Sequence, residues 1–197
     1  MSCLKKIQID DTIYTANTDF RIAIRCNEIA QDKTIGDYER ALGIICTMFG
    51  DDGIDKCKDN LDHIEKLLQW IKKYLSCGKE IVETNETPDM DYSEDMEYIE
   101  ASFMSDFHID LENEEMDWQK FNKLINGLSN SELGNCCVLN RVRNLRNYDV
   151  STIKDSKERE KIIKAKQSVE LKKYKKENNL TEEQERSMEE LNKMLGL

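Results

Sequence analysis

The sequence predicts a mainly α protein: a multi-helix bundle with a short N-terminal β-hairpin and a charged C-terminal helical arm. Three observations predict it. The 197-residue chain has one proline and eight glycines, too few turn-forming residues for an all-β sandwich or barrel. Apolar residues recur at helical spacing along most of the chain. Strict alternation of apolar and polar residues occurs convincingly only near the N-terminus.

That alternation covers residues 5–15 and predicts a hairpin that turns at the Asp-Asp pair in its middle. A helix is expected to follow and to run to about residue 30, with Thr18 as its cap and Asp19 favourably placed at the positive end of the helix dipole. A second helix should begin after Gly36 and end at residues 50–53, whose sequence is Gly-Asp-Asp-Gly.

The clearest periodicity comes next, in an apolar stripe whose members are alternately three and four residues apart. Its members are Ile54, Cys57, Leu61, Ile64, Leu68, Ile71 and Leu75. The stripe predicts one helix that ends at Cys77 and Gly78 and buries one face. Three heptads also suit a coiled-coil seam, but a core helix of a bundle is the more common source of such a stripe.

The rest of the chain predicts further helices, for a total of seven or eight. They are expected at about Ser93–Phe107, at about Glu114–Leu128, after a capping box at 129–132, at Asp155 to about Asn178, and after a second capping box at 181–184.

A boundary is expected at the acidic segment that holds the only proline, Pro88. The predicted organisation is an N-terminal hairpin and helical half at 1–78, an acidic linker at 79–91, a C-terminal helical half at 92–150 and a charged helical arm at 151–197.

Charge is distributed in three blocks. Residues 1–78 have 11 basic and 13 acidic side chains, residues 79–117 have one basic and 15 acidic, and residues 118–197 have 17 basic and 12 acidic, which makes the net charge −11. This acidity disfavours a dedicated duplex nucleic-acid binder. No apolar run approaches the roughly 20 residues that span a bilayer, and the N-terminus has no hydrophobic signal core, so we expect a protein that starts in a cytoplasm.

The motifs of common catalytic and cofactor sites are missing from the sequence. It has no Gly-rich phosphate loop, no Glu-x-x-His pair and no paired cysteine ligands. The seven cysteines are scattered and are expected to be free, buried thiols. His63 is expected on a helix surface and His108 at a helix end. We therefore expect no enzyme activity, cofactor or metal site.

Two groups of residues are candidates for partner binding. One is the apolar stripe Trp118, Phe121, Leu124 and Leu128, for which a core face is the simpler interpretation. The other comprises Arg141 and Arg143, in the basic segment 139–176. That segment has 13 basic side chains but only two aromatic ones, so nucleic-acid binding is a minor alternative.

Several stretches together resemble the bacteriophage protein family named after gene product fifteen of a Listeria phage. The similarity covers about residues 5–175. It lies in residues 18–21 (Thr-Asp-Phe-Arg), 91–103, 109–111 and 117–128 (Asp-Trp-Gln-Lys-Phe-Asn-Lys-Leu-Ile-Asn-Gly-Leu), and in Arg141 or Arg143, Asp155 and Lys164. The family usually has His-Trp-Trp where this chain has Met116, Asp117 and Trp118, which argues against essential histidine chemistry and weakens the case for an aromatic partner-binding face.

The resemblance implies assembly rather than catalysis. The family occurs in tailed phages and prophages of Gram-positive bacteria, and its genes lie in the tail module beside the tape-measure gene. It implies a tail-assembly chaperone whose partners are the tape-measure protein and other tail assembly proteins, in the host cytoplasm or in the virion tail. The alternatives are a structural or adaptor component that stays in the tail and a nucleic-acid-binding helical protein. The stoichiometry is left open.

Overall fold

A two-stranded hairpin comes first in the chain and seven α-helices follow it, as the sequence predicts. The computed structural model describes residues 3–79, 87–130 and 136–174. The elements are β1 (Leu4–Ile9), β2 (Thr12–Asn17), α1 (Phe20–Gln31), α2 (Asp37–Cys57), α3 (Leu61–Leu75), α4 (Met96–Phe107), α5 (Trp118–Asn126), α6 (Val138–Asn147) and α7 (Ser156–Ser168), with 3-10 turns at Val150–Thr152 and Lys172–Tyr174.

The hairpin is antiparallel and turns tightly at Asp10, whose backbone is left-handed with φ 50°. Ile9 pairs with Thr12 across the turn. Tyr14 and Ala16 are fully buried on the inner face of β2, which packs against α2. The hairpin is therefore attached to the helices by one apolar face.

The structure corrects one predicted helix cap in the N-terminal half and refines one predicted helix end. The cap of α1 is Asp19, whose carboxylate accepts the Arg21 amide at 2.9 Å, whereas the Thr18 hydroxyl donates to the Cys3 carbonyl. The Gly-Asp-Asp-Gly segment interrupts the helix at Gly50, as predicted, and a second helical stretch follows directly, so that both are included in α2. Gly50 bends the helix with φ 70°, a conformation that glycine adopts without a Cβ clash, and the helix then continues to Cys57.

The apolar stripe that predicts one helix from residue 54 to residue 75 is divided between two. The helix is interrupted at residues 58–60, and Asn60 caps α3 by accepting the His63 amide at 3.2 Å. Leu61, a member of the stripe, is 74% exposed at the start of α3. The rest of α3 is a core helix, with Ile64, Leu67 and Ile71 buried, as the simpler interpretation of the stripe predicts.

Helices α4–α6 occur where the sequence predicts helices, with later starts. Helix α4 ends at His108, whose left-handed backbone (φ 55°) lets its amide donate to the Met104 carbonyl at 3.2 Å. Helix α5 begins at Trp118 rather than Glu114, and α6 begins at Val138 with Cys137 as its cap. Most of the predicted capping box before α6 lies outside the described residues.

Helix α7 is the exposed part of the predicted arm: it has no buried residue and a side-chain cap from Asp155. It ends at Ser168, earlier than predicted, and the expected last helix with Met188, Leu191 and Leu195 lies outside the described residues. Across residues 3–79, 87–130 and 136–174, no helix combines the length and apolarity needed to cross a membrane.

Candidate interaction site

The two stretches most typical of the resemblance, residues 18–21 and 117–128, meet at one junction. The Phe20 amide donates to the Met116 carbonyl and the Trp118 amide to the Thr18 carbonyl, each at 2.9 Å. This antiparallel bridge joins the first residues of α1 and α5, so both helices begin from one fixed point. The signature residues therefore connect the two halves of the chain.

Asp117 serves this junction in two ways. Its carboxylate caps α5 by accepting the Gln119 amide at 2.8 Å, and it accepts the Tyr74 hydroxyl of α3 at 2.7 Å. Burial of Tyr74 and the hydrogen bond to Asp117 raise the pKa of that phenol. At one of the positions where the family usually has His-Trp-Trp, this chain thus has a helix cap.

Aromatic rings fill the space behind the junction. We call this group the aromatic seam; its members are Phe20, Tyr92, Phe103, Trp118 and Phe121. The Phe20 and Phe121 rings stack at 4.3 Å, and the Phe103 and Phe121 rings at 5.3 Å. Since these residues come from α1, α4, α5 and the segment before α4, the seam is the shared core of both halves.

The apolar residues predicted to bind a partner lie mainly in this core. Trp118 is 2% exposed, and its indole N–H donates to the Leu75 carbonyl at 2.9 Å. Phe121 and Leu128 are also buried, and Leu124 is half-buried. A partner helix has no access to the buried members in this conformation, and their binding role stays a prediction.

The two predicted arginines differ from each other and lie on α6, apart from the aromatic seam. Arg141 is exposed. Arg143 is half-buried and donates to the Asp89 carboxylate at 3.1 Å and to the Asn140 side chain at 3.2 Å. Only Arg141 therefore presents a free guanidinium to a partner.

Arg146, which the sequence offers only as one of many basic residues, forms the most buried ion pair of the described chain. Its two terminal nitrogens each contact an oxygen of Asp95 at 2.7 Å, and the Asp95 side chain is fully buried. The guanidinium also donates to the carbonyls of Asp89 (2.8 Å) and Val169 (2.6 Å). It thus connects three separate stretches of chain, which no local sequence pattern reveals.

The chain after α7 folds back onto the acidic segment, and we call residues 169–174 the C-terminal strap. The Glu94 carboxylate accepts the amides of Lys172 (2.8 Å) and Lys173 (2.7 Å). Asp91 accepts the Lys173 ammonium and the Tyr174 hydroxyl, each at 3.2 Å. Part of the acidic block therefore binds part of the basic block within one molecule.

A groove opens beneath the strap. It encloses about 660 Å³ between residues 87–89, the end of α6 and α7. Its apolar lining comprises Pro88, Val150, Ile163, Leu171 and Tyr174, and its charged lining comprises two basic residues, Arg146 and Lys166, and two acidic ones, Asp89 and Glu170. Ile163 is 37% exposed at this groove. The arrangement suits an amphipathic segment that places an apolar face in the groove and polar residues along its edge.

The remaining acidic residues form an outward surface at α4 and the link after it. Burial and the neighbouring carboxylates of Glu112, Asp110 and Glu97 raise the pKa of Glu100. Among the described residues, the acidic middle of the sequence thus has some carboxylates in internal ion pairs and others on the surface.

The structure also corrects the expectation for His63, which is buried rather than on the surface. Its ring contacts the Tyr14 hydroxyl at 2.7 Å and the Asp10 carboxylate at 3.1 Å. Among the described residues, Asp10, Asp62 and His63 could together offer donor atoms to a metal. The Lys66 ammonium already contacts Asp62 at 2.7 Å and Asp10 at 3.5 Å, so these carboxylates have a cationic partner.

Comparison with known proteins places the chain in a family. A family model described as "Bacteriophage Gp15 protein" matches residues 2–171. Neither a curated protein nor a solved structure matches the chain. The matched residues cover the hairpin, all seven described helices and the start of the strap, and the chain belongs to the bacteriophage Gp15 protein family.

Proposed function

We propose that this protein acts in phage tail assembly as a non-enzymatic chaperone that binds the tape-measure protein. Membership of the bacteriophage Gp15 family supports a phage structural or assembly role, and the resemblance described above implies a gene beside that of the tape-measure protein. A tape-measure protein is long and helical, and its apolar stripes are prone to aggregate until the tail tube covers them. A chaperone that covers such stripes prevents this aggregation.

The groove beneath the C-terminal strap is the observation that carries the proposal. Amphipathic helices are commonly bound when their apolar face enters such a groove. Ile163 and Pro88 supply exposed apolar surface, and charged side chains of both signs lie along the groove. A stable interface buries about 800 Å² on each partner, so the exposed face of α7 must contribute beyond the groove itself.

Co-expression with the tape-measure protein of the same phage tests the proposal. We expect the two proteins to co-purify, and we expect Ile163→Glu to reduce capture because it places a charge in the groove. Ile35→Glu is the matched control, since Ile35 is 36% exposed against 37% for Ile163 and does not line the groove. Circular dichroism verifies that both variants fold.

Two further measurements can refute the chaperone role or favour its main alternative. Absence of a complex, together with tails of normal length in a phage that lacks this gene, would refute the chaperone role. Mass spectrometry of purified particles distinguishes the chaperone role from the main alternative, because a structural component stays in the virion and a chaperone leaves it.

A further inference from the structure

A second concavity is lined in part by Tyr92 and Trp118 of the aromatic seam, and its chemistry differs from that of the groove. It encloses about 420 Å³ between α1, the end of α3 and α5. We call it the amide cleft because five carboxamide side chains line it: Asn27, Gln31, Gln119, Asn122 and Asn126. Its volume lies in the range of about 300–1,000 Å³ that ligand sites occupy.

Among the residues that the structure describes, two lysines and no aspartate or glutamate line the amide cleft, although the whole chain has a net charge of −11. Lys79, Lys123 and Cys77 all line the cleft, and the two lysines lower the pKa of the Cys77 thiol against the larger, opposing effect of burial. Asp117 is the nearest carboxylate that acts on this thiol, and its oxygens are already occupied by Gln119 and Tyr74. The cleft therefore presents positive charge.

Several of the polar groups in the cleft are available. Within residues 3–79, 87–130 and 136–174, the side chains of Asn27, Gln119, Lys79 and Lys123 make no hydrogen bond or ion pair. Asn122 is occupied instead, because it accepts the Tyr92 hydroxyl at 3.0 Å and donates to the Trp118 carbonyl at 3.2 Å. The free side-chain amides of Asn27 and Gln119 thus line the same cleft as Asn122, whose side chain is already hydrogen-bonded.

We propose that the amide cleft binds an extended, acidic segment of a partner polypeptide. A carboxamide both donates and accepts, so it matches the paired N–H and C=O groups of an extended backbone, which a helix would satisfy internally. Lys79 and Lys123 pair with carboxylates of that segment. Single-stranded nucleic acid is the weaker fit, since the Trp118 ring is 2% exposed and offers no face for base stacking.

The test uses the full chain labelled with ¹⁵N and a capped octapeptide of alternating glutamate and threonine. The peptide should shift the side-chain amide signals of Asn27 and Gln119 and the indole N–H signal of Trp118. The same peptide with glutamine in place of glutamate should bind about tenfold more weakly, because it keeps the backbone contacts and loses both ion pairs.

Two double variants of equal charge make the test specific. Lys79→Glu with Lys123→Glu should weaken binding of the acidic peptide at least about tenfold. Lys72→Glu with Lys120→Glu makes the same change on α3 and α5 away from the cleft and should keep the affinity within about twofold. Both pairs are exposed, so both variants should fold.

Four results would overturn the proposal: no shifts at millimolar peptide, equal affinity for the two peptides, equal affinity for the two double variants, or tighter binding of a single-stranded oligonucleotide at the same signals. None of these measurements involves the tape-measure protein, so the proposed chaperone role stands or falls separately.

Discussion

The aromatic seam and the C-terminal strap stabilise the fold by opposite means. The seam joins α1, α4 and α5 through stacked rings that are almost wholly removed from water. The strap is attached through charged groups: its Val169 carbonyl accepts Arg146, which pairs with the buried Asp95, and its Lys173 pairs with Asp91. The comparison shows that apolar contacts define the shared core, whereas ion pairs position the segment that borders the groove.

The largest effect should come from Phe121→Ala in the aromatic seam. Phe121 is fully buried and contacts the rings of Phe20, Phe103 and Trp118. Removal of such a ring leaves a cavity and should lower the free energy of unfolding by about 3–5 kcal/mol. Urea denaturation measures the loss. Lys120→Ala, on the exposed side of the same helix, should change stability by no more than about 0.5 kcal/mol. A loss of under about 1 kcal/mol in Phe121→Ala would contradict the central role of the seam.

The next effect should come from Asp95→Ala, which leaves the Arg146 guanidinium buried without its carboxylate. Loss of one partner of a buried pair costs about 3 kcal/mol or more, because the other charge stays desolvated. Urea denaturation should show that the double variant Asp95→Leu with Arg146→Met is more stable than Asp95→Ala, since it removes both charges. A double variant as unstable as the single one would show that the hydrogen bonds of Arg146 to Asp89 and Val169 matter more than its pairing with Asp95.

These two regions also differ in how far the sequence predicts them. The stripe of Trp118, Phe121 and Leu128 is visible as helical periodicity, and its simpler interpretation as a core face agrees with the burial of these residues. The fold class and the order of the helices follow from such patterns. These patterns do not predict the interruption between α2 and α3 at residues 58–60, because apolar residues continue in register across it into the second helix.

The strap could not be predicted in the same way. Asp95 and Arg146 are 51 positions apart in the chain, and neither residue type indicates its partner. The sequence does show an acidic block before a basic one, which is compatible both with internal pairing and with two separate binding faces. Only the packing of α6 against α4 selects the internal pairs. The amide cleft is similar, since Asn27 and Gln119 meet only because α1 and α5 start from one junction.

Asp91→Asn should have a smaller effect, and one that depends on pH. Burial disfavours the charged form of Asp91, but the amide of Glu94, the ammonium of Lys173 and the amide of Ser93 together outweigh it and lower the pKa of the carboxyl below 3.8. Its contribution to stability is therefore complete above about pH 5 and is lost as the pH falls through the lowered pKa. Substitution should cost about 1–2 kcal/mol at pH 7. Denaturation at a series of pH values should show the difference between wild type and variant shrinking below about pH 4, and a difference that is constant with pH would contradict this account.

The smallest effect should come from Lys164→Ala in α7. Comparison of this exposed ion pair with the buried pair of Arg146 and Asp95 shows how much burial contributes to the loss of stability. Lys164 pairs with Glu160 at 2.7 Å, a distance equal to that between Arg146 and Asp95, but the two side chains are 70% and 65% exposed. Water screens such a pair, and the loss of freedom in two long side chains offsets most of its attraction. The free energy of unfolding should fall by about 0.5 kcal/mol or less, and the difference should vanish in about 1 M salt, where the screening length is about 3 Å. A loss above about 1 kcal/mol would mean that α7 is anchored through its charged surface. With the small loss, α7 is held in place mainly by the hydrogen bonds of Arg159 to the Ile153 carbonyl and of Lys166 to the Tyr148 carbonyl, which join the helix to the segment before it.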